Sequence, residues 1–398
     1  MSTSRSASRT TFTQWPHHDA DELAAAQAVL ASGKTNYWTG DEGRRFEREY
    51  ADALGRKHAI VLHNGSLALE LALMALGVGP GDEVVTTPRT FIASASAAVM
   101  RGATPVFADV DRESGNLTAD TVAPVLTDRT KAIVAVHLAG WPVDMAPLMD
   151  LARKRGIAVI EDASQAHGAT IDGTPVGAFG DLAAFSFCQD KNITTGGEGG
   201  LLALDDEAMW RDAWAYKDHG KSYEAIYERQ DDGVGYNRVY ESFGTNWRMT
   251  EMQAAIGRIQ LRKLPDWHAR RHAIGTRYEE ALRGMEALRV PVVPDAMRHA
   301  YYRAYVYVRP EALREGWSRD RILSEVREAG IPIFTGSASE LYLEKAFRDA
   351  HLGPPEALPV AKELGETSLA LLCHPTLTDE DVERTLDVLR GVAERATR

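Results

Sequence analysis

HAIVLHNGSLALELALMAL, residues 58–76, passes from one kind of structure to another within a single short run. Its first part, HAIVL (58–62), is an unbroken apolar run of strand length. Asn64-Gly65-Ser66 follows as a polar turn. Leucine and alanine then recur at helical spacing over 67–76. A strand that feeds a helix through a tight turn is half of a βαβ unit. Strand-like runs recur at 83–86, 105–107, 132–137, 158–160, 183–187 and 200–203, with helical patterns at 92–101, 119–125 and 142–155. The strands are nearly continuously apolar, which predicts a mostly parallel sheet buried on both faces. Upstream, helices are predicted over 19–32 and 43–54, stopped by Gly33 and Gly55. After Leu204 the rhythm lapses. A helical pattern beginning at 251–261 and continuing through Arg283 leads away from the sheet. A strand at 301–308 and helices at 320–329 and 379–394 form a smaller α+β unit. The expected division is a loosely ordered polar arm (1–15), a large α/β domain (16–265) and a small C-terminal domain (266–398).

The bulk numbers bound the function. The chain has 398 residues, 44% of them hydrophobic and 26% charged, which is ordinary for a globular protein large enough to need no disulfide or metal. A net charge of -12 argues against a nucleic-acid or anionic-membrane surface, since both require a basic face. No stretch approaches the length of a membrane span. The start, MSTSRSASRTTFTQ, lacks the apolar core of a secretory signal. Cys188 and Cys373 stand outside any CxxC or Cys/His pattern, so no metal is expected. They read as free thiols in a reducing cytoplasm.

Each candidate motif has an ordinary reading beside a functional one. Asn64-Gly65-Ser66 is either a plain N-cap or an anion cradle of free amides and a hydroxyl. Gly77-Val78-Gly79-Pro80-Gly81 follows a helix and precedes a strand, the wrong order for a dinucleotide loop, and reads as a helix stop with a turn. Glu161-Asp162 follows a buried strand, where open α/β sheets bind ligands, although an N-cap serves equally. Lys191 lies just past the run 183–187, before the glycine-rich TTGGEGG of 194–200. A lysine whose pKa is lowered by burial and a nearby cation attacks carbonyls well. Glycines let a bulky ligand approach the backbone. Pyridoxal phosphate (PLP) needs each of these parts. Its phosphate needs N–H and hydroxyl donors, its ring needs an aromatic face such as Phe91, its ring nitrogen needs a carboxylate, and its aldehyde needs a lysine.

On these residues the sequence resembles the DegT/DnrJ/EryC1/StrS family of PLP-dependent sugar aminotransferases. The resemblance runs from about residue 35 to 390. It is carried by 64–69 (NGSLAL), 88–93 (PRTFIA), Asp109-Val110-Asp111, 137–140 (HLAG), 161–168 (EDASQAHG), 185–200 (FSFCQDKNITTGGEGG) and 244–255 (GTNWRMTEMQAA). It implies the aspartate-aminotransferase-like fold type I, a large domain with a mostly parallel mixed sheet flanked by helices and a smaller α+β domain. It implies that Lys191 forms the Schiff base and shuttles the proton, while Asp162 partners the pyridinium nitrogen. It further implies that Gln165 bonds the phenolic oxygen, Phe91 stacks on the ring, and Gly65, Ser66 and Ser186 hold the phosphate. Asn246 would reach the phosphate of a neighbouring subunit, which implies a homodimer with active sites at the interface.

Tyr37 and Trp38 resemble a sugar-holding segment. Residues 216–227 resemble a substrate-covering loop with Lys217 and His219 as candidate contacts. His167 is either a substrate contact or a structural histidine, and Tyr301, Tyr302 and Tyr305 read as small-domain core. The implied reaction moves an amino group from L-glutamate, through pyridoxamine phosphate, to a keto group of a nucleotide-linked deoxysugar. A cyclitol ketone and an aminohydroxybenzoate-type precursor are the alternatives. Lys191 argues against the family's dehydratase branch, which has histidine there. The sugar, its nucleotide and the pathway stay open.

Overall fold

The computed structural model describes residues 12–229 and 238–398. The large domain is built on β1 (His58–Leu62), β2 (Glu83–Thr86), β3 (Thr104–Phe107), β4 (Thr130–Val136) and β5 (Ala158–Asp162). A short ribbon, β6 (Thr170–Ile171) and β7 (Thr174–Pro175), precedes β8 (Leu182–Ser186) and β9 (Gly200–Leu204). The seven-stranded sheet runs β1-β9-β8-β5-β4-β2-β3. Pairing is parallel from β8 to β3, and β9 runs antiparallel to both of its neighbours. Every residue of β8 and β9 is buried, as a sheet covered on both faces requires. The expected mostly parallel mixed sheet is the one found.

The small domain carries β10 (Leu288–Arg289), β12 (Arg303–Val308), β13 (Ile333–Phe334) and β14 (Ser368–Leu372) in the order β10-β12-β14-β13. Another strand, β11 (Met297–Arg298), pairs with β6 instead. One helix, Glu251–Leu282, serves both domains. Its Ala254 and Leu264 pack in the large-domain core, and its Ile274, Tyr278 and Leu282 pack in the small-domain core.

Three local readings change. The helix expected at 67–76 begins at Gly65, because the Asn64 side chain accepts from the Leu67 N–H at 3.0 Å and caps it. The loop expected at 216–227 contains a helix, Tyr223–Tyr227, capped by Ser222. The arm is anchored from Phe12 onward. Thr13 donates to Asp381 at 3.0 Å, and the Trp15 indole donates to the Lys191 carbonyl at 2.8 Å. Residues 1–11 of that arm lie outside the described residues.

Four buried histidines give the fold an acid sensitivity. Burial lowers the pKa of His167 and His268 to about 4, and of His299 and His374 to about 3. The fold therefore keeps them neutral, while the unfolded chain protonates them below about pH 6.5. Their stabilisation is full above that pH and is lost as pH falls toward the folded values. By pH 5 each histidine has cost the fold up to about 2 kcal/mol relative to neutral pH. Thermal unfolding followed by circular dichroism should show Tm falling steadily from pH 7 to about pH 5. A Tm independent of pH across that window would contradict the neutral assignment.

Candidate active site

The carboxyl ends of the parallel strands and the turn after β1 open into one cavity of about 1180 Å³, closed on the far side by small-domain residues around β12 and β13. Its floor is a helix end. With Asn64 as cap, the first-turn amides of Gly65 and Ser66 and the Ser66 hydroxyl stand at its wall. They form a cradle for an anion. Gly65 is required by packing: a Cβ there would come within 2.6 Å of the Ser186 Cβ. This close approach puts the Ser186 hydroxyl, at the end of β8, beside the helix end.

Asp162 is the last residue of β5 and is 5% exposed. One of its oxygens accepts from the Ser94 hydroxyl at 2.7 Å, and the other from the Ser164 N–H at 3.2 Å. Gln165 is oriented by backbone. Its Oε1 accepts from the Ala139 N–H at 2.7 Å, so its amide NH₂ is the group left to donate into the cavity. Ala139 makes this bond from the left-handed region, at φ 58°. The Phe91 ring lines the cavity and is 65% exposed. Lys191 enters from the turn after β8, where its N–H donates to the Cys188 carbonyl at 3.0 Å.

The electrostatics of Lys191 differ from expectation. Burial favours its neutral amine, but Tyr302 and Asp190 outweigh burial and raise the Lys191 pKa above its ordinary value. Asp190 Oδ1 lies 3.4 Å from Nζ, and the Tyr302 ring centroid lies 4.9 Å away. The expected lowering by a neighbouring cation is therefore overturned in the arrangement described here, in which carboxylate and phenol are the nearer groups. Of the three tyrosines read as core, Tyr301 is core. Tyr302 and Tyr305 are cavity wall.

Gly65, Ser66, Phe91, Asp162, Gln165, Ser186 and Lys191 all line the one cavity. Other expected residues do not. His167 is 1% exposed and satisfied on both nitrogens. Its Nδ1 accepts from Tyr50 at 2.6 Å, and its Nε2 donates to the Ser186 carbonyl at 2.9 Å. It is the structural histidine, one layer behind the site, and has no atom free for a substrate. Tyr37 is buried with its hydroxyl on Glu47 at 3.0 Å. Lys217 is enclosed by aromatic rings, its Nζ 3.7 Å from the Tyr37 centroid, and burial lowers its pKa to about 8. Neither can touch a substrate, because packing has sealed both from solvent. Trp38 is half-buried under Lys221, at 3.9 Å, and lies outside the cavity wall. Asn246 and His219 are exposed, away from their own chain's cavity. Sequence reasoning missed Ser94, Asp190, Tyr302 and Arg303. Only Asp190, next to the lysine, carried a local signal.

The donor set fits pyridoxal phosphate. A cradle with no room for a Cβ, an oriented amide donor, a hydrogen-bonded carboxylate and a lysine face one space. The comparisons with known proteins agree. The DegT/DnrJ/EryC1/StrS aminotransferase family matches residues 16–390. An aminotransferase from Psychrobacter cryohalolentis, solved by X-ray, is 53% identical with a TM-score of 0.95, covering 97% of this chain and 99% of that one. The GDP-perosamine synthase of Caulobacter vibrioides is 37% identical over 89% of this chain and 92% of its own. The spore coat polysaccharide biosynthesis protein SpsC of Bacillus subtilis is 34% identical over 94% of this chain and 95% of its own.

Proposed function

The chain belongs to the DegT/DnrJ/EryC1/StrS aminotransferase family of PLP-dependent sugar aminotransferases, and on that premise we propose that it carries an amino group from L-glutamate to the keto group of a nucleotide-linked deoxysugar. The observation that carries this reading is the single cavity of about 1180 Å³ that joins the lysine, the carboxylate and the anion cradle. It exceeds the roughly 300–1,000 Å³ of an ordinary single-ligand pocket, leaving space for a large acceptor beyond the cofactor.

When bound, PLP supplies an aldehyde that accepts the amino group and a ring that withdraws electrons from the reacting carbon. The protein's part is binding, orientation and proton transfer. The Gly65 and Ser66 amides with the Ser66 and Ser186 hydroxyls hold the phosphate, and Phe91 covers the ring. The Gln165 NH₂ donates to the ring oxygen. Asp162 holds a proton on the ring nitrogen, with Ser94 fixing its position at 2.7 Å. Lys191 Nζ would hold the cofactor covalently at rest. Once released, it would carry the proton from the donor's α-carbon to the carbon that was the cofactor's aldehyde, and on the return half it would carry a proton from that carbon to the former keto carbon of the acceptor. We read Asn246, exposed outside its own cavity, as the residue that reaches the phosphate in a second copy, so that the homodimer is the working unit, with His219, also exposed, as a candidate substrate contact. No described helix is long and apolar enough to cross a membrane. A cytoplasmic location would keep its two free cysteines reduced.

The test is spectroscopic. The enzyme is converted by glutamate to the pyridoxamine form and then offered a panel of keto compounds. Return of the original absorbance with a nucleotide-linked keto sugar is the expected result. Return only with a free cyclitol ketone would replace this reading with the cyclitol one.

A further inference from the structure

Beside Lys191 stands a carboxylate that the reaction outlined above does not use. Asp190 joins two domains. Its Oδ1 lies 3.4 Å from Lys191 Nζ, and its Oδ2 accepts a hydrogen bond from the Tyr302 hydroxyl. Tyr302 is firmly placed. It is 9% exposed, and its ring has Lys191 Nζ 4.9 Å from the centroid and the Arg303 guanidinium 4.4 Å away. Arg303 also donates to the Tyr302 carbonyl at 2.8 Å. The Lys191 backbone is pinned as well, by the Trp15 indole on its carbonyl at 2.8 Å. Backbone and ammonium of one lysine are thus held by different parts of the chain.

We propose that Asp190, held in place by the Tyr302 hydroxyl, is a positioning residue that holds the Lys191 ammonium whenever that amine is not bonded to the cofactor. This rests on the reading of Lys191 given above and extends it to the interval between the two half-reactions. A lysine freed from a covalent bond regains several rotatable bonds and tends to swing away. An opposite charge at hydrogen-bonding range keeps its amine where the next bond must form. Charged groups surround it on every side. Cys188 and Asp190 belong to its own turn, and Tyr302 and Arg303 come from the small domain. Asp162, Glu198 and Glu344 stand elsewhere on the cavity wall, while His167 and Arg271 lie behind. Among the described residues, Asp190 is the carboxylate paired with Nζ.

The full-length enzyme, saturated with pyridoxamine phosphate, tests this. Lys191 is reductively methylated with formaldehyde and cyanoborohydride across a pH series and quantified by peptide mass. Asp190→Asn should label about fivefold faster at neutral pH, with a lower pH midpoint. Tyr302→Phe should fall between this variant and wild type, and Asp190→Glu should restore the wild-type profile. The acid limb of the single-turnover rate with 2-oxoglutarate should move the same way in Asp190→Asn. Identical labelling midpoints in wild type, Asp190→Asn and Tyr302→Phe would overturn the proposal. Protection of Lys191 when pyridoxal phosphate replaces pyridoxamine phosphate checks the underlying reading separately.

Discussion

Lys191→Ala is expected to abolish transamination, with kcat falling at least about 10⁴-fold, the upper range for a positioned acid–base group. It should also remove the absorbance band of the lysine-bonded cofactor. Both effects follow from one atom having two duties. In the proposed mechanism Nζ is the covalent anchor for the cofactor at rest and the base that moves the proton during turnover. Alanine leaves the surroundings of Lys191 in place. The pocket turn is held by the Lys191 N–H on the Cys188 carbonyl at 3.0 Å and by Trp15 on the Lys191 carbonyl, both backbone contacts that alanine retains. Loss of activity with an unchanged circular dichroism spectrum and Tm within a few degrees is therefore the expected pattern. Full activity in the variant would remove Lys191 from the mechanism.

Asp162→Asn is expected to lower kcat by about 10²–10³-fold while leaving cofactor binding largely intact, the range seen when one preorganised electrostatic partner is lost. Asparagine keeps the shape and can still accept from Ser94. It carries no charge to hold a proton on the ring nitrogen, so the ring loses its power to withdraw electrons. The phosphate cradle proposed at Gly65, Ser66 and Ser186 does not involve Asp162. Equilibrium dialysis of cofactor should therefore change little, and steady-state kinetics should change greatly. A variant with wild-type kcat would assign Asp162 to structure, with Ser94 and Ser164 as its only duties.

The two predictions draw on residues that were legible in the sequence for different reasons. Asp162 was visible as a carboxylate at the end of an apolar run, and that run is a strand whose last residue is Asp162 itself. Lys191 was visible only in company, since a lysine before glycines is common. Tyr302 was misread. Its neighbours Tyr301 and Tyr305 share its strand-like apolar pattern, and periodicity cannot tell a tyrosine that faces a core from one that faces a cavity in another domain. The strand Ser368–Leu372 was likewise missed, although it pairs with both β12 and β13. SLALL is too short for its period to separate strand from helix.

Sequence alone determined the α/β class, the mostly parallel sheet and the family resemblance, and it offered the seven residues that line the cavity among others that do not. These are local properties, set by periodicity, turn chemistry and motif order. Tertiary structure alone decided which polar groups are free to act. It sealed Lys217 under Tyr37, satisfied both nitrogens of His167, and brought Tyr302 to Asp190 across 112 positions of chain. Burial and pairing arise from contacts between distant segments, and the free energy of a charged or hydrogen-bonding group depends on those contacts more than on its immediate neighbours in the chain.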